Sequence, residues 1–237
     1  MLYNLLYVFL LFIIYSFCGY ILEVIVVSVP AKKFMNRGFL FGPLCPIYGV
    51  GALLITYGLE RYADNPIILF VLGVIITSGI EYYTSYIFEK IFHNKWWDYS
   101  NRSDNINGRI CLGNSIGFGI GALFIIYISN PFIKNILSSL SKNTIITLGL
   151  ILFVIFIIDF IWSIIIAYNL RERLIVAEEL KNSKLKALPT MIIARYNDQI
   201  SKIRIRTNRL LKVYPNMAKN LRKELNRIQD ILNKNKK

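Results

Sequence analysis

Long apolar runs separated by short polar segments fill the first 170 residues of this chain. A bilayer core about 30 Å thick is spanned by a helix of about 20 mostly apolar residues. Four runs reach that length, at residues 2–29, 66–92, 111–130 and 144–170. A fifth run, residues 44–60, is shorter and opens between Pro43 and Pro46, so both a full span and a re-entrant loop fit it. The pattern predicts an all-α integral membrane protein with about five transmembrane helices.

The composition agrees with that class. Hydrophobic residues make up 55% of the chain and charged residues 18%, against about 25% charged residues in soluble domains. The first apolar run has no basic segment before it and is longer than the apolar core of a signal peptide. We therefore interpret it as the first transmembrane helix rather than a cleaved leader.

Basic residues concentrate on alternate loops. Loops 30–43 and 90–110 carry three and four Lys or Arg, whereas loops 60–65 and 131–143 carry one and two. Lys and Arg accumulate in short cytoplasmic loops. Five spans with the N-terminus outside and the C-terminus in the cytoplasm satisfy every loop, whereas a re-entrant fifth segment would lose this pattern.

The composition changes at residue 170, which divides the chain into a transmembrane domain, residues 1–170, and a basic tail, residues 171–237. The tail holds 18 Lys and Arg against 6 Asp and Glu. Apolar residues spaced by three and four on both sides of Pro215 predict a cytoplasmic helical hairpin. Anionic inner-leaflet lipid fits its basic face, as does a partner protein or a homodimer through the heptad seam. Nucleic acid is not expected, because no binding fold accompanies the charge.

Four acids fall within the predicted spans: Glu23, Glu81, Glu89 and Asp159. An ionised side chain at the centre of a membrane helix costs about 2.5–3.5 kcal/mol, so such residues normally face the bundle interior. Glu81 and Glu89 share one helix face because they are eight residues apart, although Glu89 also fits a simple interfacial position. We predict a polar cavity that opens to the cytoplasm and is lined by these acids. Either Arg37, Arg109 or a bound cation supplies the counter-charge, or desolvation keeps the acids protonated.

The loop "KWWDYSNRSDNINGRI", residues 95–110, is richer in polar and aromatic residues than a membrane-interface belt requires. Its candidate cavity or substrate residues are Trp96, Trp97, Asp98, Tyr99, Asn107 and Arg109. An arginine grips a phosphate or carboxylate in a bidentate manner, and an aspartate accepts from arginine, binds a cation or acts as a base. The loop is predicted to lie on the cytoplasmic face as the lid of the acidic cavity.

Glycines recur every four residues along "GNSIGFGIG", at Gly113, Gly117 and Gly121. Such a face lets membrane helices approach closely, so we predict helix packing there, including a homodimer contact. The spacing and the Lys-Ser/Thr pair of a nucleotide-binding loop are missing from this segment. No metal or cofactor is predicted, since the single histidine and the three cysteines have no metal-ligand spacing.

Four motifs in order resemble one family. They are "NRGFLFGPLCPIYGVGA", "EYYTSYIFEKIF", "KWWDYS" and "NGRICLGNS", and they resemble the bacterial membrane proteins called putative ABC-transporter type IV, or putative ABC transporter permease, over residues 1–175. The resemblance implies a bacterial cytoplasmic membrane and a substrate-translocating component that works with a separate ATPase subunit. It marks nine characteristic positions: Arg37, Glu81, Glu89, Trp96, Trp97, Asp98, Tyr99, Asn107 and Arg109.

Three functions stay open at this point. The first is a transport-related, permease-like component. The second is an interfacial enzyme acting on a lipid headgroup or a polyprenyl phosphate, with Asp98 or Glu89 as acid or base. The third is a membrane scaffold or regulator that acts through its basic tail. No catalytic residue is assigned, because no triad or metal cluster can be read from the sequence.

Overall fold

The computed structural model describes residues 1–36, 38–92 and 95–182, with side chains as far as residue 168. The helices are α1 Leu2–Ala31, α2 Pro46–Leu59, α3 Pro66–Phe92, α4 Leu112–Phe124, α5 Asn130–Ser138 and α6 Lys142–Asn182. A 3-10 turn, Glu60–Tyr62, follows α2, and a π-helical turn, Ile125–Ser129, joins α4 to α5. Two short strands, β1 Asn105–Ile106 and β2 Ile110–Cys111, form a hairpin between α3 and α4.

The prediction of a helical membrane protein is confirmed. Four segments of the described residues are long and apolar enough to span a membrane: Leu2–Ala31, Pro66–Phe92, Leu112–Ser138 and Lys142–Tyr168. The fifth predicted span, α2, has 14 residues and is therefore about 21 Å long, short of the hydrocarbon thickness. The fourth span passes its predicted end at residue 130, because Ile133 and Leu137 of α5 remain buried in the bundle core.

Helix α1 runs parallel to α6. Leu6 packs against Gly149, and further along both helices the ring of Phe9 lies 5.4 Å from that of Phe153. Still further along, the Phe12 and Phe156 rings are 5.4 Å apart. The start of α1 and the later part of α6 therefore lie at opposite ends of the bundle.

Helices α1 and α2 run antiparallel, as do α3 and α4. The backbone of Gly19 contacts the ring of Tyr48, and Gly49 contacts Phe12. In the second pair, Ser78 donates a hydrogen bond of 2.8 Å to Ser115. Small residues allow this close approach.

The two ends of the bundle differ in their connections. At one end, Lys134 Nζ lies 2.7 Å from Glu60 Oε1, so the turn after α2 lies beside α5. At the other end, the rings of Phe39 and Trp96 are 5.3 Å apart, which brings loops 32–45 and 95–111 together. We call this second end the loop end.

Loop 32–45 returns from the end of α1 to the middle of the bundle. The Cys45 N–H donates to the Ser16 carbonyl at 2.9 Å, halfway along α1, and α2 begins at the next residue. The described part of the chain therefore runs as non-helical backbone from the end of α1 to Cys45 and then continues as α2. Backbone outside a helix is tolerated at membrane depth only where protein or a polar cavity surrounds it.

The predicted glycine face does not mediate close packing within the described chain. A Cβ added at Gly113, Gly117 or Gly121 would meet no neighbouring atom within 4 Å. The close approach of α3 to α4 occurs elsewhere, because a Cβ at Gly73 would lie 2.6 Å from the Ala122 Cβ. Packing of the open face against a second copy stays a prediction.

Candidate functional site

A hairpin turn organises the polar loop before α4. Asn107 and Gly108 have φ values of 55° and 70°, and the Arg109 N–H donates to the Ile106 carbonyl at 3.0 Å. Asn-Gly favours this left-handed turn, since both residues tolerate positive φ. The hydropathy pattern did not predict this hairpin, although the Asn-Gly dipeptide between Ile106 and Ile110 is a local signal for it.

The loop docks onto the last turns of α3. The Trp97 indole donates to the Arg109 carbonyl at 2.9 Å, and the Asn107 amide donates to the Tyr82 hydroxyl at 2.9 Å. Trp96 is buried and its ring lies 5.2 Å from that of Phe88. Trp96 therefore anchors the loop to the protein rather than to a lipid interface.

Arg109 is held on three sides. Its Nη2 lies 2.7 Å from Glu89 Oε2, and its guanidinium carbon stands 5.2 Å from the Tyr82 ring centre and 5.5 Å from that of Tyr86. An arginine over aromatic faces gains cation–π attraction. Among the four acids predicted to line the cavity, the structure pairs Arg109 with Glu89.

Asp98 is used within the loop. Its Oδ1 accepts hydrogen bonds from the Ser100 hydroxyl at 2.5 Å and the Ser100 N–H at 3.1 Å. The Ser100 hydroxyl, followed by the Ser100 amide and Lys95, lowers the pKa of the Asp98 carboxyl. These bonds stabilise the ionised form, so Asp98 stays charged under ordinary conditions.

Glu81 is the most deeply placed acid of the loop end. Its side chain is 6% exposed, and Oε1 accepts from the Tyr99 hydroxyl at 3.1 Å. Tyr99 in turn accepts from the Asn114 amide at 2.8 Å. Among the described residues, Glu81 Oε2 has no hydrogen-bond partner. A buried carboxylate oxygen without a partner is costly, because the group is desolvated without compensation.

A second acid lies close by. The Tyr48 hydroxyl of α2 donates to Glu23 Oε1 at 2.7 Å, and the Tyr48 ring lies 6.2 Å from the Phe118 ring of α4 in an edge-to-face arrangement. Burial raises the pKa of the Tyr99 hydroxyl, and the charges of Glu81 and Glu23 raise it further. Tyr99 is thus within electrostatic reach of both carboxylates.

These side chains define one cluster between the two antiparallel helix pairs. We call it the tyrosine–carboxylate cluster, and its members are Glu23, Tyr48, Glu81, Tyr99 and Asn114. The open glycine face adjoins it, since Gly117 and Gly121 lie three and seven residues after Asn114 on the same side of α4. The structure therefore brings two of the four predicted acids together.

The other predicted positions lie elsewhere. Asp159 accepts from the backbone N–H groups of Phe41 and Gly42 at 2.9 and 2.8 Å, so it anchors loop 32–45. Glu89 neutralises Arg109 on the outer part of the α3 face. Arg37 lies outside the described residues, as do the tail residues 183–237. No group of three or more His, Cys, Asp or Glu side chains is positioned to hold a metal ion within the described part.

Two pieces of the chain are similar in sequence to two later pieces. "YGVGALLITY" from residue 48 and "FGIGALFIIY" from residue 118 match at six of ten positions. "YILEVIV" from residue 20 and "YIFEKIF" from residue 86 match at four of seven. The first copy comprises the end of α1, loop 32–45 and α2. The second comprises the end of α3, the polar loop and α4. In this correspondence Glu23 matches Glu89, and Tyr48 matches Phe118.

Comparisons with known proteins agree with the helical membrane architecture. The family model for putative ABC-transporter type IV proteins matches residues 10–164, roughly two thirds of the chain. This stretch includes most of α1, all of α2 to α5 and all of the cluster. No curated protein and no solved structure matches the chain. By the extent of the family match, the chain belongs to the putative ABC-transporter type IV family.

Proposed function

We propose that this protein is a permease-like membrane component of a transporter, and that its solute contacts the tyrosine–carboxylate cluster. The observation that carries the proposal is the burial of Glu81 between helices with one carboxylate oxygen unpartnered among the described residues. Ionisable residues inside membrane helices commonly mark solute or ion pathways. Family membership supports the same class of function.

A path to the cytoplasm is part of this proposal. The cluster lies toward the loop end, and loops 30–43 and 90–110 carry more basic residues than the other two, which favours a cytoplasmic loop end. Loop 95–111 covers the cluster through Tyr99. The open space beside Gly117 and Gly121 supplies room for a solute next to Asn114.

Energy would come from a partner. The family name points to an ABC system, and the sequence has no phosphate-binding loop of its own, so we propose a separate ATPase subunit. The basic tail, residues 171–237, offers a surface for that subunit, for anionic lipid or for a second copy. The full second passage through the membrane, by loop 32–45 and α2, also belongs to the proposal.

The test is uptake or export of a labelled solute panel by cells that produce the protein, compared with cells that produce Glu81→Gln. We expect wild-type flux of at least one solute and its loss in the variant, because glutamine retains the shape but not the charge. Glu60→Gln is the matched control, since Glu60 is an exposed acid paired with Lys134 at the opposite end. Equal flux in wild type and Glu81→Gln, with both proteins folded in the membrane, would contradict the proposal.

The lipid-headgroup enzyme is not favoured by the geometry. Arg109, the residue expected to grip a phosphate, is engaged by Glu89 and two tyrosine rings. A changed headgroup profile in cells that lack the protein, without any solute flux, would favour that alternative.

A further inference from the structure

The internal repeat makes Glu81 stand out. The offset of 66 residues that aligns Glu23 with Glu89 places Tyr15 opposite Glu81. Tyr15 is buried, and its hydroxyl is 3.4 Å from that of Ser129. In the first copy of the repeat, this buried position is filled by an aromatic side chain, so helix packing alone does not require an acid there. The acid in the second copy needs another explanation.

The polar atoms around Glu81 are arranged as acceptors. The Tyr99 and Tyr48 hydroxyls each donate a hydrogen bond to a carboxylate, and the Asn114 amide donates one of its two N–H groups to Tyr99. This leaves Glu81 Oε2 and the Asn114 carbonyl oxygen as acceptors beside the open glycine face. A ligand there has to donate hydrogen bonds.

The carboxylates and the aromatic rings of the cluster restrict which chemical classes of ligand fit it. No Lys, Arg or His among the described residues forms an ion pair with Glu81, so an ionised Glu81 would repel an anion. Two carboxylates and no further acid or imidazole make a poor site for a divalent metal. The Tyr48 and Phe118 rings on one side of the cluster offer aromatic surface of the kind that attracts ammonium groups.

We infer that the tyrosine–carboxylate cluster is a binding site for a protonated amine, whose ammonium group donates to Glu81 Oε2 and Asn114 while its carbon chain lies along the Tyr48–Phe118 rings. This inference rests on the proposed function, because it names the class of solute that the transporter takes. In transporters built from repeats, solute sites lie between the repeats, and this cluster joins side chains of both.

The test is protection of Glu81 from a hydrophobic carbodiimide in the purified full-length protein in detergent. The probes are a series of primary amines, methylammonium to hexylammonium, and putrescine, each up to 100 mM. Sodium chloride controls for ionic strength and sodium butyrate for chain length without the positive charge. Mass spectrometry measures the rate at which the unmodified Glu81 peptide disappears. The N-acylurea and any amide formed when the amine captures the activated carboxyl both count as modification, so only occupancy of the site slows the loss.

We expect at least one amine to slow modification of Glu81 at least fivefold, with no effect of either sodium salt. Tyr99→Phe, which keeps the ring and the acid but loses one orienting hydroxyl, should weaken the protection about tenfold in amine concentration. If no amine in the series protects Glu81, or if sodium salts protect equally, the inference is overturned. A Tyr99→Phe protein that remains folded and is protected at the wild-type amine concentration also contradicts the assigned geometry.

The outcome separates this inference from the proposed function. Amine protection together with unchanged flux in Glu81→Gln would leave the binding site and remove the transport role. Glu81-dependent flux without protection by any amine would leave the transport role and remove the amine as its solute.

Discussion

A single methyl group decides the packing of α3 against α4. The Gly73→Ala change places a Cβ 2.6 Å from the Ala122 Cβ, and neither atom can rotate away because both are fixed to the backbone. Overpacking of this kind costs about 1–3 kcal/mol. We expect a lower midpoint of thermal unfolding in detergent, measured by loss of the monodisperse peak in size-exclusion chromatography.

The matched control is Gly79→Ala on the same helix, where an added Cβ meets no atom within 4 Å. Both changes gain the same helix propensity, so only the contact differs. Equal midpoints for the two variants would contradict the close approach of α3 to α4. Glycine spacing predicted close helix packing at Gly113, Gly117 and Gly121, whereas the close contact is at Gly73. Spacing shows which residues share a helix face, but it does not show which face contacts a neighbouring helix.

The Asp98 carboxylate should make the stability of loop 95–111 depend on pH. Its pKa is lowered in the folded protein by the Ser100 hydroxyl, so the ionised group stabilises the fold above the unfolded pKa of about 3.9. That contribution is lost as the pH falls through the lower, folded pKa. We expect Asp98→Asn to unfold at a lower temperature than wild type at pH 7, and the difference to shrink toward pH 3.

Because the Asp98 side chain is 37% exposed, solvent screening keeps this effect below about 1 kcal/mol. Tryptophan fluorescence during a thermal scan reports it, since Trp97 donates to the Arg109 carbonyl in the same loop. Asp64→Asn, an exposed acid in the turn before α3, is the control. A difference between Asp98→Asn and wild type that persists unchanged at pH 3 would refute the role of ionised Asp98.

Among the elements, loop 32–45 depends on one carboxylate of α6. Asp159 accepts hydrogen bonds from the N–H groups of Phe41 and Gly42, and these bonds tie the middle of the loop to α6. Asp159→Asn removes the charge and one acceptor, so we expect the loop to open more often. The readout is the rate at which a membrane-permeant maleimide labels Cys45, which is 8% exposed, in a variant with Cys18 and Cys111 replaced by Ser.

Faster labelling by tenfold or more is the expected result, since hydrogen bonds to a charged group contribute about 1.5–3 kcal/mol. Ser163→Ala serves as the control, because it removes a third donor to Asp159 at 3.3 Å and leaves both backbone amides in place. If Asp159→Asn labels at the wild-type rate, the carboxylate does not hold the loop.

The four long helices were readable from the sequence because length and hydropathy are local properties. The shape of the loops was not. That Cys45 meets Ser16 halfway along α1, or that Arg109 pairs with Glu89, depends on contacts between distant parts of the chain. The hairpin at Asn107-Gly108 is different, because its signal is local.

At the scale of the whole molecule, contacts between loops show which loops share an end of the helix bundle. The charge of those loops predicts which side of the membrane each end faces. Glu60 and Lys134 meet at one end, and Phe39 and Trp96 meet at the other. The larger number of basic residues in loops 30–43 and 90–110 favours a cytoplasmic loop end. Because successive membrane-spanning segments alternate in direction, the loops rich in basic residues all lie at the same end of the bundle.

This orientation predicts the labelling of single cysteines in intact cells. In a protein with Cys18, Cys45 and Cys111 replaced by Ser, Asp64→Cys should react with a membrane-impermeant maleimide added outside. Asn101→Cys should also react, because residue 101 is exposed in loop 95–111. It should do so only after the membrane is permeabilised, because the loop end is predicted to face the cytoplasm. Reaction of both cysteines in intact cells would mean that α3 does not cross the membrane. The reverse pattern would place the tyrosine–carboxylate cluster toward the outside, and the amine would then enter from there.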